Sequence, residues 1–402
     1  MQQNTQDLQK VYKRAVSLHE TGDFARAVEL YAQILAQFPD ADIVLYNHGL
    51  ACYNLGWFAD AAESFKGAAE LNPDDPDIWF NLGLAYKQSG RFTDAKQSYS
   101  RALELRPADQ DVLYNLACCL KDGGDADQAI STYERLLGQD PEHGSAVNNL
   151  AYLYHLQGRY KQAEKLYRRL LTIRPDHLSA RHMLAALSGK GDAAPPREYV
   201  RELFDGYSDG FEQSLVEKLD YRVPALLKNL IDRFEGKKTV YDQVVDLGCG
   251  TGLAGEAFKP VCRFLVGVDL SPNMVEVAEK KQVYDELTTG DVVEFLQNSS
   301  KGYDLILAAD VITYLGELEA LFQAAAENSS HDAIFCFSTE HLDQGGWLLR
   351  PTGRYAHSPE YVDTVAGKTG WWILCSEKAN LRKEREEWIQ GDLYLMSKKM
   401  NS

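Results

Sequence analysis

No stretch of this sequence approaches the roughly 18 consecutive apolar residues that a membrane helix needs. The opening Met-Gln-Gln-Asn-Thr-Gln-Asp has neither the basic start nor the apolar core of a secretion signal, so a soluble, cytoplasmic chain is expected. Basic charge is also scarce. The 42 Lys+Arg face 59 Asp+Glu, for a net −17 at pH 7, and the deficit is −5 over residues 1–188 and −12 over 189–402. Binding a phosphate backbone needs a basic face, so nucleic acid is not an expected partner. The seven cysteines (52, 118, 119, 249, 262, 336 and 375) include no Cys-x-x-Cys pair. That spacing argues against a zinc site or a disulfide framework, and no metal is expected; they read as buried thiols in a reducing compartment.

What is present is an ordinary globular balance, 45% apolar and 25% charged, over 402 residues, enough for two or three folded units. The first half repeats itself. Gly22, Gly56, Gly90, Gly124 and Gly158 are 34 residues apart; so are Ala27, Ala61, Ala95, Ala129 and Ala163, then Tyr31, Phe65, Tyr99, Tyr133 and Tyr167, and Pro39, Pro73, Pro107, Pro141 and Pro175. Each column suits a two-helix unit. The Gly marks the turn between helices, where a positive φ or a close approach excludes a β-carbon, and the Ala lets the second helix pack on the first. The aromatic, four residues on, shares that face, and the Pro ends it.

This pattern resembles the tetratricopeptide repeat over residues 8–177, most closely in the unit with Trp79, Leu82, Gly83, Tyr86, Ala95, Tyr99, Ala102 and Pro107. The resemblance implies an all-α solenoid of five repeats, 8–41, 42–75, 76–109, 110–143 and 144–177, closed by a capping helix at 178–188. Arrays of this family hold extended peptides on their concave side. Asn47, Asn81, Asn115 and Asn149, at one position of successive first helices, are therefore the candidate partner-binding residues, with a purely structural or self-associating ladder as the alternative. Cys118 and Cys119 read as small packing residues.

Helical periodicity stops at Gly189-Lys-Gly-Asp-Ala-Ala-Pro-Pro196, which reads as a linker over 189–196. It resumes from Arg197 to Phe234 as a helical entry segment. Phe204-Asp-Gly-Tyr-Ser-Asp-Gly-Phe-Glu and Leu219-Asp-Tyr-Arg-Val-Pro resemble the segment ahead of the first strand in methyltransferases that carry fused repeats. The resemblance makes Tyr207 a candidate lid residue over the cofactor, a plain core aromatic being the other reading.

Tyr241-Asp-Gln-Val-Val-Asp-Leu-Gly-Cys-Gly-Thr-Gly-Leu-Ala-Gly is a β-branched run that ends in Asp246 and breaks into Gly248, Gly250 and Gly252 before a helix. This is the strand, glycine loop and helix of a nucleotide site. Gly250-Thr-Gly-Leu-Ala-Gly255 also satisfies the dinucleotide pattern G-x-G-x-x-G. The register separates the two, because Asp246 points a carboxylate into the loop where a dinucleotide would bring its pyrophosphate. An acid there suits the ammonium of a methionine moiety. Asp-Leu-Gly-Cys-Gly-Thr-Gly is similar to the first motif of class I S-adenosylmethionine-dependent methyltransferases, which implies a Rossmann-like α/β domain over 197–402 with a mostly parallel, seven-stranded sheet.

Asp269 closes the next strand about 20 residues on, placed for the ribose hydroxyls. The resemblance implies that Leu270 and Met274 line the adenine and that Asp291 and the Val292 amide meet its amino group. With Asp246, Gly248, Cys249, Gly250 and Gly252, these complete the expected cofactor set, to which Asp310, at the end of the fourth strand, is added. Methyl transfer is an in-line displacement that depends on positioning, and a base is needed only if the acceptor must lose a proton. The candidates for catalysis are Asp310, Glu340, His341, Tyr355 and His357, and Arg350, Arg354 and Arg382 are candidate binders of an acceptor's carboxylate or phosphate. The expected function is methyl transfer from S-adenosylmethionine, with the repeats recruiting or positioning a protein or small-molecule acceptor. The alternative is a repeat-based scaffold whose methyltransferase fold only senses the cofactor.

Overall fold

The 34-residue period becomes a ladder of paired helices from α1 (Gln2–Glu20) to α10 (Tyr160–Ile173). The computed structural model describes every residue except 1, 190, 192–193, 206–211, 213–214, 217–218, 235–239, 385–386 and 399–402. The five turn glycines have φ between +71° and +85°, and a β-carbon on Gly22, Gly56, Gly90 or Gly124 would meet nothing within 4 Å. Of the two reasons for glycine there, the backbone conformation is the operative one. Close approach occurs elsewhere: a β-carbon on Gly49 or Gly83 would sit 2.7 or 2.6 Å from the rings of Phe65 and Tyr99. The column alanines are wholly buried and the column aromatics are at most 2% exposed, so this face is the array's core.

The chain divides between Pro175 and Asp176 into two compact units. The sequence places this junction at 189–196, after a capping helix of the array. Instead, α11 (Leu178–Ser188) belongs to the second unit, where His182 Nε2 lies 3.0 Å from the Gly353 carbonyl and Ala186 packs with Leu349 and Tyr355. Its buried partners lie some 170 residues downstream, beyond the reach of local periodicity.

The rest of the second unit starts with α12 (Arg197–Asp205) and α13 (Val223–Phe234), followed by β1 (Tyr241–Leu247), α14 (Leu253–Phe258), β2 (Cys262–Asp269), α15 (Pro272–Lys280) and β3 (Glu286–Thr289). Then come α16 (Val292–Asn298), β4 (Tyr303–Ala308), α17 (Glu319–Glu327), β5 (Ser329–His341), β6 (Trp347–Leu349), β7 (Tyr355–His357), α18 (Pro359–Thr369), β8 (Trp372–Glu384) and β9 (Glu387–Ser397). The main path runs β3-β2-β1-β4-β5, continuing through β9, which pairs with both β5 and β8. Parallel pairing from β3 to β5 and antiparallel pairing of β9 give a mostly parallel sheet with its last strand reversed. The expected seven strands are present, and the antiparallel hairpin β6–β7, joined to the end of β5 at Glu340 and His341, raises the total to nine.

β4 and residues 244–247 at the end of β1 are buried, as strands covered on both faces must be. Besides the cluster around Ala186, Leu349 and Tyr355, two larger apolar clusters pack against the sheet. One includes Val245, Val266, Ile306, Phe322, Phe335 and Trp371, the other Leu227, Val244, Phe258, Leu305, Cys336 and Leu395. Among the described residues, no helix is long and apolar enough to cross a membrane.

Candidate active site

The parallel strands place the ends of β1, β2 and β4 side by side, with Asp246 paired to Gly267 and Leu307. Open α/β sheets bind ligands beyond these carboxyl ends. Asp246 is fully buried; its Oδ2 accepts a 2.7 Å hydrogen bond from the Tyr284 hydroxyl, whereas Oδ1 has no partner among the described residues. Burial pushes its carboxyl up to about 7, the Tyr284 bond opposes the shift, and nearby Asp269 adds to it. The pocket therefore holds a carboxyl that favours a cation for company.

Gly248, Gly250 and Gly252 carry φ of +66°, +52° and +94°. At Gly248 a β-carbon would also fall 2.2 Å from Val311 Cγ2, so no other residue fits that bend. The Cys249 amide bonds the Val268 carbonyl at 2.9 Å, tying the loop to β2. Asp269, 9% exposed, accepts from the Gly250 amide at 2.8 Å and the Ser271 amide at 2.9 Å. Burial raises its carboxyl and these amides pull it back. Met274 is buried, its amide capped by the Ser271 hydroxyl, and Leu270 is half-buried beside it.

Helix α12 crosses above these strand ends. Asp205 accepts from the Ser271 hydroxyl at 2.5 Å, Arg197 pairs with Asp291 at 3.3 Å and with Glu294 at 2.6 Å, and the Phe204 ring stands edge-on to Tyr314 at 5.3 Å. Tyr207 lies outside the described residues. Asp291 Oδ1 caps α16 through the Val293 and Glu294 amides, both at 3.0 Å, with Val292 opening that helix.

Residues 12–76 match the tetratricopeptide repeat family, residues 60–180 the cytochrome c-type biogenesis protein H TPR domain, and residues 245–335 the methyltransferase domain family. The chain joins a tetratricopeptide repeat array to a class I methyltransferase domain. The mitochondrial ubiquinone biosynthesis O-methyltransferase of Schizosaccharomyces pombe is 33% identical over 171 residues, 40% of this chain and 58% of that protein. The chain spans about half the length of the curated relatives it matches. Among solved structures, YrrB, described as a TPR protein with an unusual peptide-binding site, is 24% identical, with a TM-score of 0.41 over 45% of this chain and 93% of its own. The magnesium protoporphyrin IX methyltransferase of Synechocystis PCC 6803 with bound SAM is 19% identical, with a TM-score of 0.39 over 52% of this chain and 100% of its own.

The methyltransferase domain's residues fit S-adenosylmethionine. Asp246 Oδ1 is a buried oxygen without a partner among the described residues, and the bend beside it has no side chain at three positions to hold a ligand off the backbone. The expected catalytic residues do not gather here. Tyr355 is wholly buried in the cluster with Ala186 and Leu349, a packing role. His357 is also wholly buried, lies 2.9 Å from the Gly316 carbonyl through Nε2, and is pushed down to about 4 by burial. It is a neutral core imidazole out of a substrate's reach. His341 Nδ1 lies 2.6 Å from Asp392, and its Nε2 faces Lys378 Nζ at 3.0 Å and Asp343 at 3.2 Å, so both ring nitrogens are engaged.

Asp310 does sit at the crevice, at φ +62°, a strained conformation for an aspartate. Both its oxygens accept from Arg382 Nη1, at 2.7 and 2.8 Å, and its amide bonds Ser338 Oγ at 3.0 Å. Burial pushes its carboxyl up while Arg382 and Arg354 pull it back. Arg382, 1% exposed, also bonds the buried Glu340. A register shift between Asn380 and Arg382 turns this side chain inward next to the equally buried Leu381.

Two tyrosines escaped the sequence reading. Tyr284 fills the space that Gly252, Gly255 and Gly267 leave open while holding Asp246. Tyr221 is carried by the 219–222 segment, which bonds along β8 through Lys383 N to Leu219 O (2.6 Å) and Arg222 N to Leu381 O (3.4 Å). Burial, with the charges of Asp310 and Asp246 adding, raises its hydroxyl well above the usual range. The aromatic in Leu219-Asp-Tyr-Arg-Val-Pro was the available signal for Tyr221; Tyr284 had none, since its role depends on glycines far off in the chain.

The asparagine ladder in the array is already engaged. Asn47 donates to the Tyr12 hydroxyl and Asn81 to that of Tyr46, both at 3.0 Å and across 35 residues, and Asn149 reaches Tyr133 at 3.0 Å and Tyr114 at 3.5 Å. Phe80 stands where Asn115 would find its tyrosine, and Asn115 bonds the Asp111 carbonyl instead. Asn47, Asn81 and Asn149 thus latch neighbouring repeats together, a structural use of this ladder.

Proposed function

We propose that the second unit transfers the methyl group of S-adenosylmethionine to an acceptor that the repeat array recruits or positions in the cytoplasm. The observation that carries this reading is the unpartnered, buried oxygen of Asp246 at a three-glycine bend. When bound, the cofactor supplies an electrophilic methyl on a sulfonium. The protein's part is to hold, align and exclude water. Asp246 takes the ammonium, Asp269 keeps lone pairs for the ribose, and α12 covers the strand ends. Asp310, committed to Arg382, shapes the acceptor's side of the crevice and does not serve as a free base.

Calorimetry with S-adenosylmethionine tests this. The wild-type chain should bind and Asp246→Ala should not; absence of binding by the wild type removes the reading. Incubating cell extract with the protein and methyl-labelled cofactor then shows whether label enters macromolecules or small molecules.

A further inference from the structure

The turn inside each repeat unit has one backbone and three kinds of filling. The amides of Asp23, Trp57, Arg91, Asp125 and Arg159 bond the carbonyls of Leu18, Cys52, Tyr86, Leu120 and Tyr154 at 2.8–2.9 Å. In the third and fifth units this pair is an arginine lying on a tyrosine. The Arg91 guanidinium is 4.3 Å from the Tyr86 ring centroid, and that of Arg159 is 4.2 Å from the centroid of Tyr154. Arg91 also donates to Asp94 at 2.8 Å, so a ring, a cation and a carboxylate stand together. The first and fourth units replace the tyrosine with a leucine and the arginine with an aspartate.

The second unit follows neither pattern. Cys52 stands where the others have tyrosine or leucine. The missing volume is found as a cavity of about 370 Å³ between α2 (Phe24–Leu35), α3 (Asp42–Asn54) and α4 (Phe58–Leu71), lined by His48, Cys52, Trp57, Asp60, Glu63 and Ser64, with Val28 from α2. Trp57 takes the position of Arg91; its indole is 47% exposed, and among the described residues no ring or cation lies against it. Asp60 takes the position of Asp94, yet no cation among the described residues pairs with its carboxylate. Glu63 lies in the field of Arg91 one unit on, which leaves Asp60 as the unmatched acid. Ser64 Oγ donates its one hydrogen to the Asp60 carbonyl at 2.9 Å and so accepts from His48 Nδ1 at 2.8 Å, which leaves Nε2 of that ring an acceptor.

We propose that this cavity is a docking site for an arginine side chain of a partner protein, which lies on Trp57 and pairs with Asp60. The third unit supplies the template, with ring, guanidinium and carboxylate all from one chain. The second unit offers the ring and the carboxylate, has room beside them, and lacks the guanidinium. Its ring comes from the opposite side of the turn. A chain of net charge −17 also draws basic segments toward it. Arginine suits the site better than lysine, because a planar guanidinium covers a ring and keeps N–H donors in its plane for an acid. The inference is independent of the methyl-transfer reading.

The experiment is calorimetric titration of the end-capped peptide Gly-Gly-Arg-Gly-Gly, and of its citrulline and norleucine twins, into the full-length protein. The arginine peptide should bind at least about tenfold more tightly than either twin, the margin of a charged hydrogen bond. Asp60→Asn should remove most of that margin, and Trp57→Ala should weaken binding severalfold. The double variant Cys52→Tyr with Trp57→Arg rebuilds the internal pair of the third unit, so it should keep its helical content and bind no peptide. Absence of binding by the wild type, equal binding of the three peptides, or arginine binding unchanged in both Asp60→Asn and the rebuilt variant overturns the site. A dimer in sedimentation that Trp57→Ala dissolves would place a second copy of this chain there and overturn the partner.

Discussion

Asp246 carries a cost that only a ligand relieves. With its carboxyl raised to about 7 in the folded state against an ordinary 3.8, the folded chain binds more protons than the unfolded one between these values. The stability of the unliganded protein therefore falls as pH rises through that window, by roughly 1.4 kcal/mol for each pH unit crossed, about 4 kcal/mol in all. Asp246→Asn keeps an acceptor for Tyr284 and removes the ionisation. It is expected to melt higher than wild type at pH 8 and to differ little at pH 4, while losing cofactor affinity. A thermal melt at both pH values checks this; a difference between the two chains that is the same at pH 8 as at pH 4 would mean that the carboxyl is not raised. In the wild type, affinity for S-adenosylmethionine should increase from pH 5.5 to 7 and level off above 8 as Asp246 becomes charged, which a calorimetric pH series would read. The sequence showed this residue clearly because strand end, acid and glycines are neighbours in the chain. Tyr284, Tyr221 and the inward turn of Arg382 were hidden, since each acquires its role from partners that only the fold brings near.

At the scale of elements, the repeat array shows which features of a periodic pattern are fixed within one unit and which need the neighbouring one. The 34-residue columns give the helices, the turns and the buried face, because each depends on residues within one unit. The asparagine ladder looks like a binding surface in the sequence, yet its donors reach tyrosines one repeat back. Phe80 interrupts this series, and Phe80→Tyr should supply the missing hydroxyl to Asn115 and stabilise the array by about 1 kcal/mol, the net worth of a typical hydrogen bond. Asn81→Ala should cost a similar amount, and chemical denaturation of the two variants compares them directly. In the methyltransferase domain, Gly248→Ala combines a left-handed φ with a 2.2 Å clash on Val311, so it should abolish cofactor binding and destabilise the domain by more than about 2 kcal/mol. Gly56→Ala, strained but unobstructed, should cost only about 1–2 kcal/mol.

For the whole molecule, the position of the cut matters more than the list of parts. Glycine and proline at 189–196 advertised a joint, but α11, ahead of that stretch, is bonded into the second unit through His182 and Ala186. A chain spanning 176–402 should fold and bind S-adenosylhomocysteine. One starting at 189 exposes Leu349 and Tyr355 and is expected to melt several degrees lower, as losing roughly 2–3 kcal/mol of apolar burial implies. Differential scanning calorimetry of both fragments decides between the two boundaries. The hairpin that α11 grips also carries Arg350 and Arg354 on its connecting turn, suspended at Gly353 from His182. Shortening the chain past that suspension point should leave the glycine bend standing while the turn that carries Arg350 and Arg354 loses its anchor.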